Sequence, residues 1–388
     1  MSTDEVIYLD HAATTPLHPE VLQAMWPYLT QQFGNASGRY PLAEQARRAV
    51  DWAHTTVAEM IGARAGEIVF TSGGSESDNL AIKGVAFARR ERGDHIITTQ
   101  IEHHAVLRTC AYLEYAHGFR VTYLPVDSTG LVDLAALEQA LDDRTVLVSV
   151  MLANNEVGTI QPLAEIAALT RPRGIVLHTD AVQAGPVLPL DVHALGVDLL
   201  SLSAHKCYGP KGTGVLYVRR GTPLDPLIHG GSQERERRAG TENVAGMVGM
   251  AVALQHARSQ NPDTLRTLRD RLIDGVLQHV DGGVLTGHAT DRLWNNASFC
   301  FRGIAGEAVL VALADHGIAC SSGSACAAGE TDPSHVLTAM GIPGELAHTA
   351  VRFTLGQSTT ADHIDTVVDI LSTIVAEIRG GVSVPGEF

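Results

Sequence analysis

The chain has 388 residues, is 45% hydrophobic and 18% charged, and carries a formal net charge of -15. That length exceeds one ordinary domain, so two are expected. The acidic balance argues against a general nucleic-acid footprint, leaving Arg235, Arg237 and Arg238 as a local basic cluster that Glu234 and Glu236 can balance.

From about residue 67 to 219, short apolar runs alternate with helical patterns. Glu67–Thr71, His95–Thr99, Arg120–Leu124, Thr145–Met151, Ile175–Thr179, Leu199–Ser203 and Gly214–Val218 read as strands. Ser77–Arg92, Ala105–His117 and Pro162–Thr170 read as helices between them. The alternation predicts a mostly parallel sheet covered by helices. After Thr241 the pattern changes. Ala245–Ser259 and Thr264–Val280 read as long helices, and Ala297–Phe301 and Thr349–Leu355 as strands. Ile364, Val367, Val368, Leu371, Ile374, Val375 and Ile378 keep helical spacing on one face. A large domain over 15–259 and a smaller α+β domain over 1–14 and 260–388 are expected.

The motifs that carry chemistry sit where strands end. Thr71-Ser72-Gly73-Gly74-Ser75-Glu76-Ser77 joins a strand to a helix. Such a turn suits an anion on the helix amides, or is an ordinary cap. His103 and His104 follow a strand; at most one is expected at a site, and a structural role remains open. Asn154-Asn155-Glu156-Val157-Gly158 offers polar ligand contacts or an Asx turn. Asp180 ends the run Ile175–Asp180, and Lys206 follows Ser203-Ala204-His205. One cofactor asks for both: pyridoxal phosphate needs a lysine for its Schiff base and an acid to keep its ring nitrogen protonated. Open α/β sheets place ligands at such strand ends. Cys326, in Ser321-Ser322-Gly323-Ser324-Ala325-Cys326-Ala327-Ala328-Gly329, gains nothing from packing in so small-residue a loop. Reactivity is the better explanation. Arg352 lies in an apolar strand and must find an anion, from the protein or from a ligand.

The five cysteines (Cys110, Cys207, Cys300, Cys320, Cys326) form no Cys-x-x-Cys pair, and no metal site is expected. No basic leader and no 18-residue apolar run occurs. A cytoplasmic protein with reduced thiols and no membrane contact is the expectation.

Together these segments resemble the cysteine desulfurases of the NifS/IscS type, within the class V aminotransferase-like, fold-type I pyridoxal-phosphate enzymes. The matching stretches run from Tyr8-Leu9-Asp10-His11-Ala12-Ala13-Thr14-Thr15-Pro16 to Arg352-Phe353-Thr354-Leu355-Gly356. Ser203-Ala204-His205-Lys206, Gly240-Thr241-Glu242-Asn243 and the Cys326 loop are the most specific. The resemblance implies a seven-stranded, mostly parallel sheet in the large domain. It implies pyridoxal 5'-phosphate on Lys206, with Asp180 at the ring nitrogen, Gln183 at the ring oxygen and His103 stacked on the ring. Gly74, Ser75, Ser203 and His205 would bind the phosphate, with Thr241 reaching it from the other subunit of a homodimer. Asn155 and Arg352 would hold L-cysteine, with Asn35 a weaker candidate. Cys326 would carry the sulfur as a persulfide, to be passed to an iron–sulfur scaffold or a thiolation protein. Selenocysteine lyase and transaminase activities are the competing chemistries, and a cofactor-free sulfur carrier leaves Lys206 and Asp180 unexplained. Two departures stand out. Asn35-Ala36-Ser37-Gly38-Arg39-Tyr40 lacks the family's proline and histidine, and Cys207 follows the lysine where an apolar residue is common.

Overall fold

The computed structural model describes residues 6–259, 261–322 and 333–380. The chain opens with the short strand β1 (Ile7–Tyr8). Seven strands then build one sheet: β2 (Ile68–Thr71), β3 (His95–Thr99), β4 (Arg120–Leu124), β5 (Thr145–Ser149), β6 (Val176–Asp180), β7 (Leu199–Ser203) and β8 (Gly214–Val218). Their order is β2-β8-β7-β6-β5-β3-β4. β8 runs antiparallel to both its neighbours, and the other pairings are parallel.

The sequence pattern explains this sheet. β3, β5, β6, β7 and β8 are buried along their whole length, as unbroken apolar runs require when helices cover both faces. One face packs on Val21, Val57, Leu177, Leu202 and Met250 among others. The other packs on Leu80, Ile82, Val85, Val106 and Leu113, which come from the helices Gly74–Ala88 and His104–His117.

The C-terminal part adds β9 (Gly283–Leu285), β10 (Asn296–Phe301), β11 (Ile318–Ala319) and β12 (Val351–Thr354). β10 lies between β12 and β9, antiparallel to both. Its core joins Phe299, Phe301 and Phe353 to Ile364, Val367, Leu371 and Ile374 of the last helix, Ala361–Arg379. The N-terminal strand belongs to this neighbourhood: β1 pairs in parallel with β11, and Leu9 is buried in the same core. Past β1, His11 N donates to Thr354 O at 3.2 Å and Ala12 N to Thr354 Oγ1 at 2.8 Å.

Candidate active site

The C-terminal ends of the parallel strands open into a cavity of about 390 Å³. Gly74, Ser75, His103, Asn155 and Asp180 line it, and so do Gln183, Ser203, His205, Lys206 and Arg352. Sequence distance is bridged by the sheet. Asp180 ends β6, Lys206 lies in the 3-10 turn after β7, and those strands are hydrogen-bonded neighbours.

Lys206 is aimed by the N-terminal segment. Its Nζ donates to Ala13 O at 2.7 Å and also to Ala12 O. Gln183 Nε2 donates to the same Ala12 carbonyl at 3.0 Å. Two residues beyond the lysine, Tyr208 takes a left-handed φ of 62°, costly for a bulky side chain. Three hydrogen bonds hold it there: Tyr208 N to Thr15 Oγ1, His18 N to Tyr208 O, and Gln357 N to Tyr208 Oη.

Two acids share the floor. Burial pushes Asp180 up to about 6, against the opposing pull of the Val182 amide and the Lys206 charge. Asp78 is raised well above the ordinary aspartate value, by burial first and by the Asp180 charge second. Two carboxylates in one dry site do not both ionise readily, so Asp180 is the one that ionises first. Beneath them lies a buried polar chain. His178 Nδ1 bonds Ser149 Oγ at 2.8 Å and its Nε2 bonds Ser201 Oγ at 3.0 Å. Burial lowers His178 to about 3, so the ring is neutral.

A second recess, also about 390 Å³, adjoins Gly74, Ser203 and His205. Here the helix Gly74–Ala88 begins with no side-chain cap, so its first amides face the recess as an anion site requires. Glycine is needed twice. A Cβ on Gly74 would come within 2.8 Å of Val182, and one on Gly214 within 2.6 Å of the Gly73 backbone. Lys211 lines this recess. Burial, then Lys206 and Lys211, lower His205 to about 4, so it is neutral beside Thr14.

His103 N-caps the helix His104–His117: its Nδ1 accepts from Ala105 N at 3.1 Å. Burial first, then Lys206, lower its pKa to about 4. The neutral ring, with Nδ1 accepting, carries its proton on Nε2. Asn154, not Asn155, makes the Asx turn, accepting from Glu156 N and Val157 N. That leaves the Asn155 side chain on the cavity. Arg352 meets both alternatives of its sequence reading. Its Nη2 donates to Asp10 Oδ1 at 2.8 Å and its Nη1 to Asn155 O at 2.9 Å, and it still borders the cavity.

Two expected residues lie elsewhere. Asn35 is exposed, outside this cavity, with its Oδ1 accepting from Ser37 N in a local turn. Thr241 is also exposed and away from the cavity of its own chain. Cys326 falls outside the described residues. The four described cysteines are free. Burial lifts Cys207 and Cys320 to about 12 and Cys300 to about 11, and raises Cys110 further.

Several lining residues have no local signal in the sequence. Asp78, His335 and Met151 reach the cavity through folding alone. Lys211 had a faint one, since it sits in a Gly-Pro-Lys-Gly turn five residues after Lys206.

The sheet order, the paired Lys206 and Asp180, and the uncapped helix define a fold-type I α/β transferase. The aminotransferase class-V family model matches residues 7–367. The chain is 50% identical over 379 residues to cysteine desulfurase IscS of Methanosarcina thermophila, covering 97% of this chain and 93% of that one. It is 46% identical to an IscS-like cysteine desulfurase of Mycobacterium tuberculosis, covering 96% and 97%. Among solved structures, a NifS-like protein superposes with a TM-score of 0.89 at 38% identity, over 96% of this chain and 99% of that one. A structure described as SspA in complex with cysteine superposes at 0.81 and 38% identity, over 90% and 98%. The chain belongs to the class-V aminotransferase family, in its NifS/IscS cysteine desulfurase branch.

Proposed function

We propose that the protein converts L-cysteine to L-alanine with pyridoxal 5'-phosphate held on Lys206, and takes the sulfur on Cys326 as a persulfide. The observation that carries this reading is one cavity holding Lys206 and Asp180, adjoined by an uncapped helix start. The residues fit the cofactor. The Gly74–Ser75 amides, Ser203 and His205 suit its phosphate, Asp180 its ring nitrogen, Gln183 its ring oxygen, and His103 one face of the ring. When bound, the cofactor supplies an electron sink that makes the α-proton of cysteine acidic and its sulfur a leaving group.

The chain's own residues do the rest. Arg352 grips the substrate carboxylate while Asn155 O and Asp10 hold the guanidinium in place. The Lys206 amine would take the α-proton. Asp180 stays anionic beside the neutral Asp78. The Cys326 thiolate attacks the substrate sulfur as its bond to carbon breaks. Cysteine and one thiol thus become alanine and one persulfide, with no outside oxidant. His103 donates from Nε2 to steady the thiolate. The high thiol values of the four described cysteines leave them poor nucleophiles near neutral pH, which supports Cys326 as the carrier.

The same reading makes the protein a cytoplasmic homodimer, with Thr241 completing the partner's phosphate site. Among the described residues, no helix is long and apolar enough to cross a membrane. It divides the chain into 15–259 and a smaller domain of 1–14 with 260–388. The persulfide then passes to an iron–sulfur scaffold or a thiolation protein. The test is a pair of variants. Lys206→Ala should lose the visible absorbance of the bound cofactor and all alanine formation. Cys326→Ser should keep the absorbance and its change on adding cysteine, yet form no persulfide. A yellow, active Lys206→Ala protein, or sulfide release at the normal rate from Cys326→Ser, overturns the assignment.

A further inference from the structure

Glu156 is buried and has no role in the reaction above. It lies one residue after Asn155 and borders the cavity. Its Oε2 accepts from the Ser334 hydroxyl at 2.5 Å. Ser334 caps the short helix His335–Ala339, its Oγ accepting from Leu337 N at 3.2 Å. The next residue is tied as well: His335 Nε2 donates to Glu102 O at 3.0 Å, beside His103. His335 and His104, 4.9 Å apart between ring centres, both line the cavity wall. At the other end, Ser321 exchanges two backbone hydrogen bonds with Arg352, at 3.2 and 2.6 Å.

Residues 321 and 334 bracket the stretch of sequence that contains Cys326. Both brackets are therefore fastened to the residues that meet substrate and cofactor: Arg352 at one end, the Asn155–Glu156 and Glu102–His103 pairs at the other. We propose that Glu156, through Ser334, and His335, through the Glu102 carbonyl, are positioning residues that fix where the sulfur-accepting segment leaves the site. Glu156 does not meet the reacting atoms in this role. It holds Ser334, on the C-terminal side of Cys326 in sequence, in register with Asn155. Burial raises the pKa of its carboxyl, opposed first by the Ser334 hydrogen bond and then by the His335 and Arg352 charges. This inference rests on the functional reading above, in which Cys326 receives the sulfur.

The experiment separates cofactor chemistry from sulfur capture in the holoenzyme. Stopped-flow absorbance follows the first change in the bound cofactor on mixing with L-cysteine. Quenched single turnovers, alkylated and read by mass spectrometry, follow persulfide on Cys326. Ser334→Ala should leave the first phase within about twofold and slow persulfide formation about tenfold or more, since small misplacements of reacting groups carry large kinetic costs. Ser334→Thr, which keeps the hydroxyl, should recover most of the rate. Glu156→Gln combined with Ser334→Ala should be no slower in capture than the worse single variant. His335→Phe should give the same split. Persulfide formation at the wild-type rate in Ser334→Ala, or equal slowing of both phases, overturns the inference while leaving the functional reading standing. A wild type that carries no sulfur on Cys326 overturns both.

Discussion

Asp10→Asn removes one charge and keeps the shape of the side chain. Asp10 Oδ1 accepts from Arg352 Nη2 at 2.8 Å, with the Arg352 side chain 2% exposed and that of Asp10 18%. A hydrogen bond between charged groups contributes about 1.5–3 kcal/mol. Breaking a buried ion pair by deleting one partner costs about 3–5 kcal/mol. Arg352 keeps the Asn155 carbonyl and borders a cavity that water can enter. The lower part of the range therefore applies, about 2–3 kcal/mol. For a chain of this length each kcal/mol moves the melting temperature by about 2 °C or less. The expected fall is about 2–4 °C, by calorimetry at fixed protein and cofactor concentration. KM for L-cysteine should change less than about threefold, because the Asn155 carbonyl still orients the guanidinium. Arg352→Met made on the Asp10→Asn background should cost less than the two single losses added together. A melting temperature unchanged within about 1 °C would refute the claim that this pair stabilises the fold.

Two further outcomes are expected. Burial opposes the charge on His54, but the hydrogen bond and charge of Glu234 outweigh it and raise its pKa above 6.5. Stability from this pair is thus complete below about pH 6.5 and lost as pH rises through the higher folded value. Glu234→Gln should lower the melting temperature more at pH 6 than at pH 9, and equal losses at both would disprove the linkage. Lys211 borders the second recess but is solvent-exposed. Lys211→Met should therefore weaken pyridoxal phosphate binding only about three- to tenfold in equilibrium dialysis, and unchanged affinity would remove it from the phosphate site.

The sheet was legible because its strands are short runs rich in apolar and β-branched residues. β3, β4, β7 and β8 fall on the expected residues. The helix Gly74–Ala88 begins three residues before its pattern does, because glycine and serine carry no periodic signal and the anion-site turn is itself the first turn. Lys206 and Asp180 could be joined from sequence because one cofactor demands both types. The partners that aim them could not. Asp10 meets Arg352 across 342 positions, and Glu156 meets Ser334 across 178. Nothing in local composition encodes such pairings. Asn35 and Thr241 carry motif signals, yet neither lines the cavity of its own chain.

The clamp of Lys206 by the Ala12 and Ala13 carbonyls has a consequence for how the protein is made. Those carbonyls are placed by β1 on β11 and by the His11 and Ala12 amides on Thr354. Synthesis runs from the N-terminus, and domains tend to fold as they emerge. A nascent chain released only as far as β8 already has every strand of the main sheet, together with Lys206 and Asp180. Its first residues, though the oldest in the chain, must wait for nearly the last before they can settle. Assembly of the lysine's surroundings is thus a closing event, completed after translation has passed Thr354. Until then the half-made chain has the Lys206 amine but not the carbonyls that aim it.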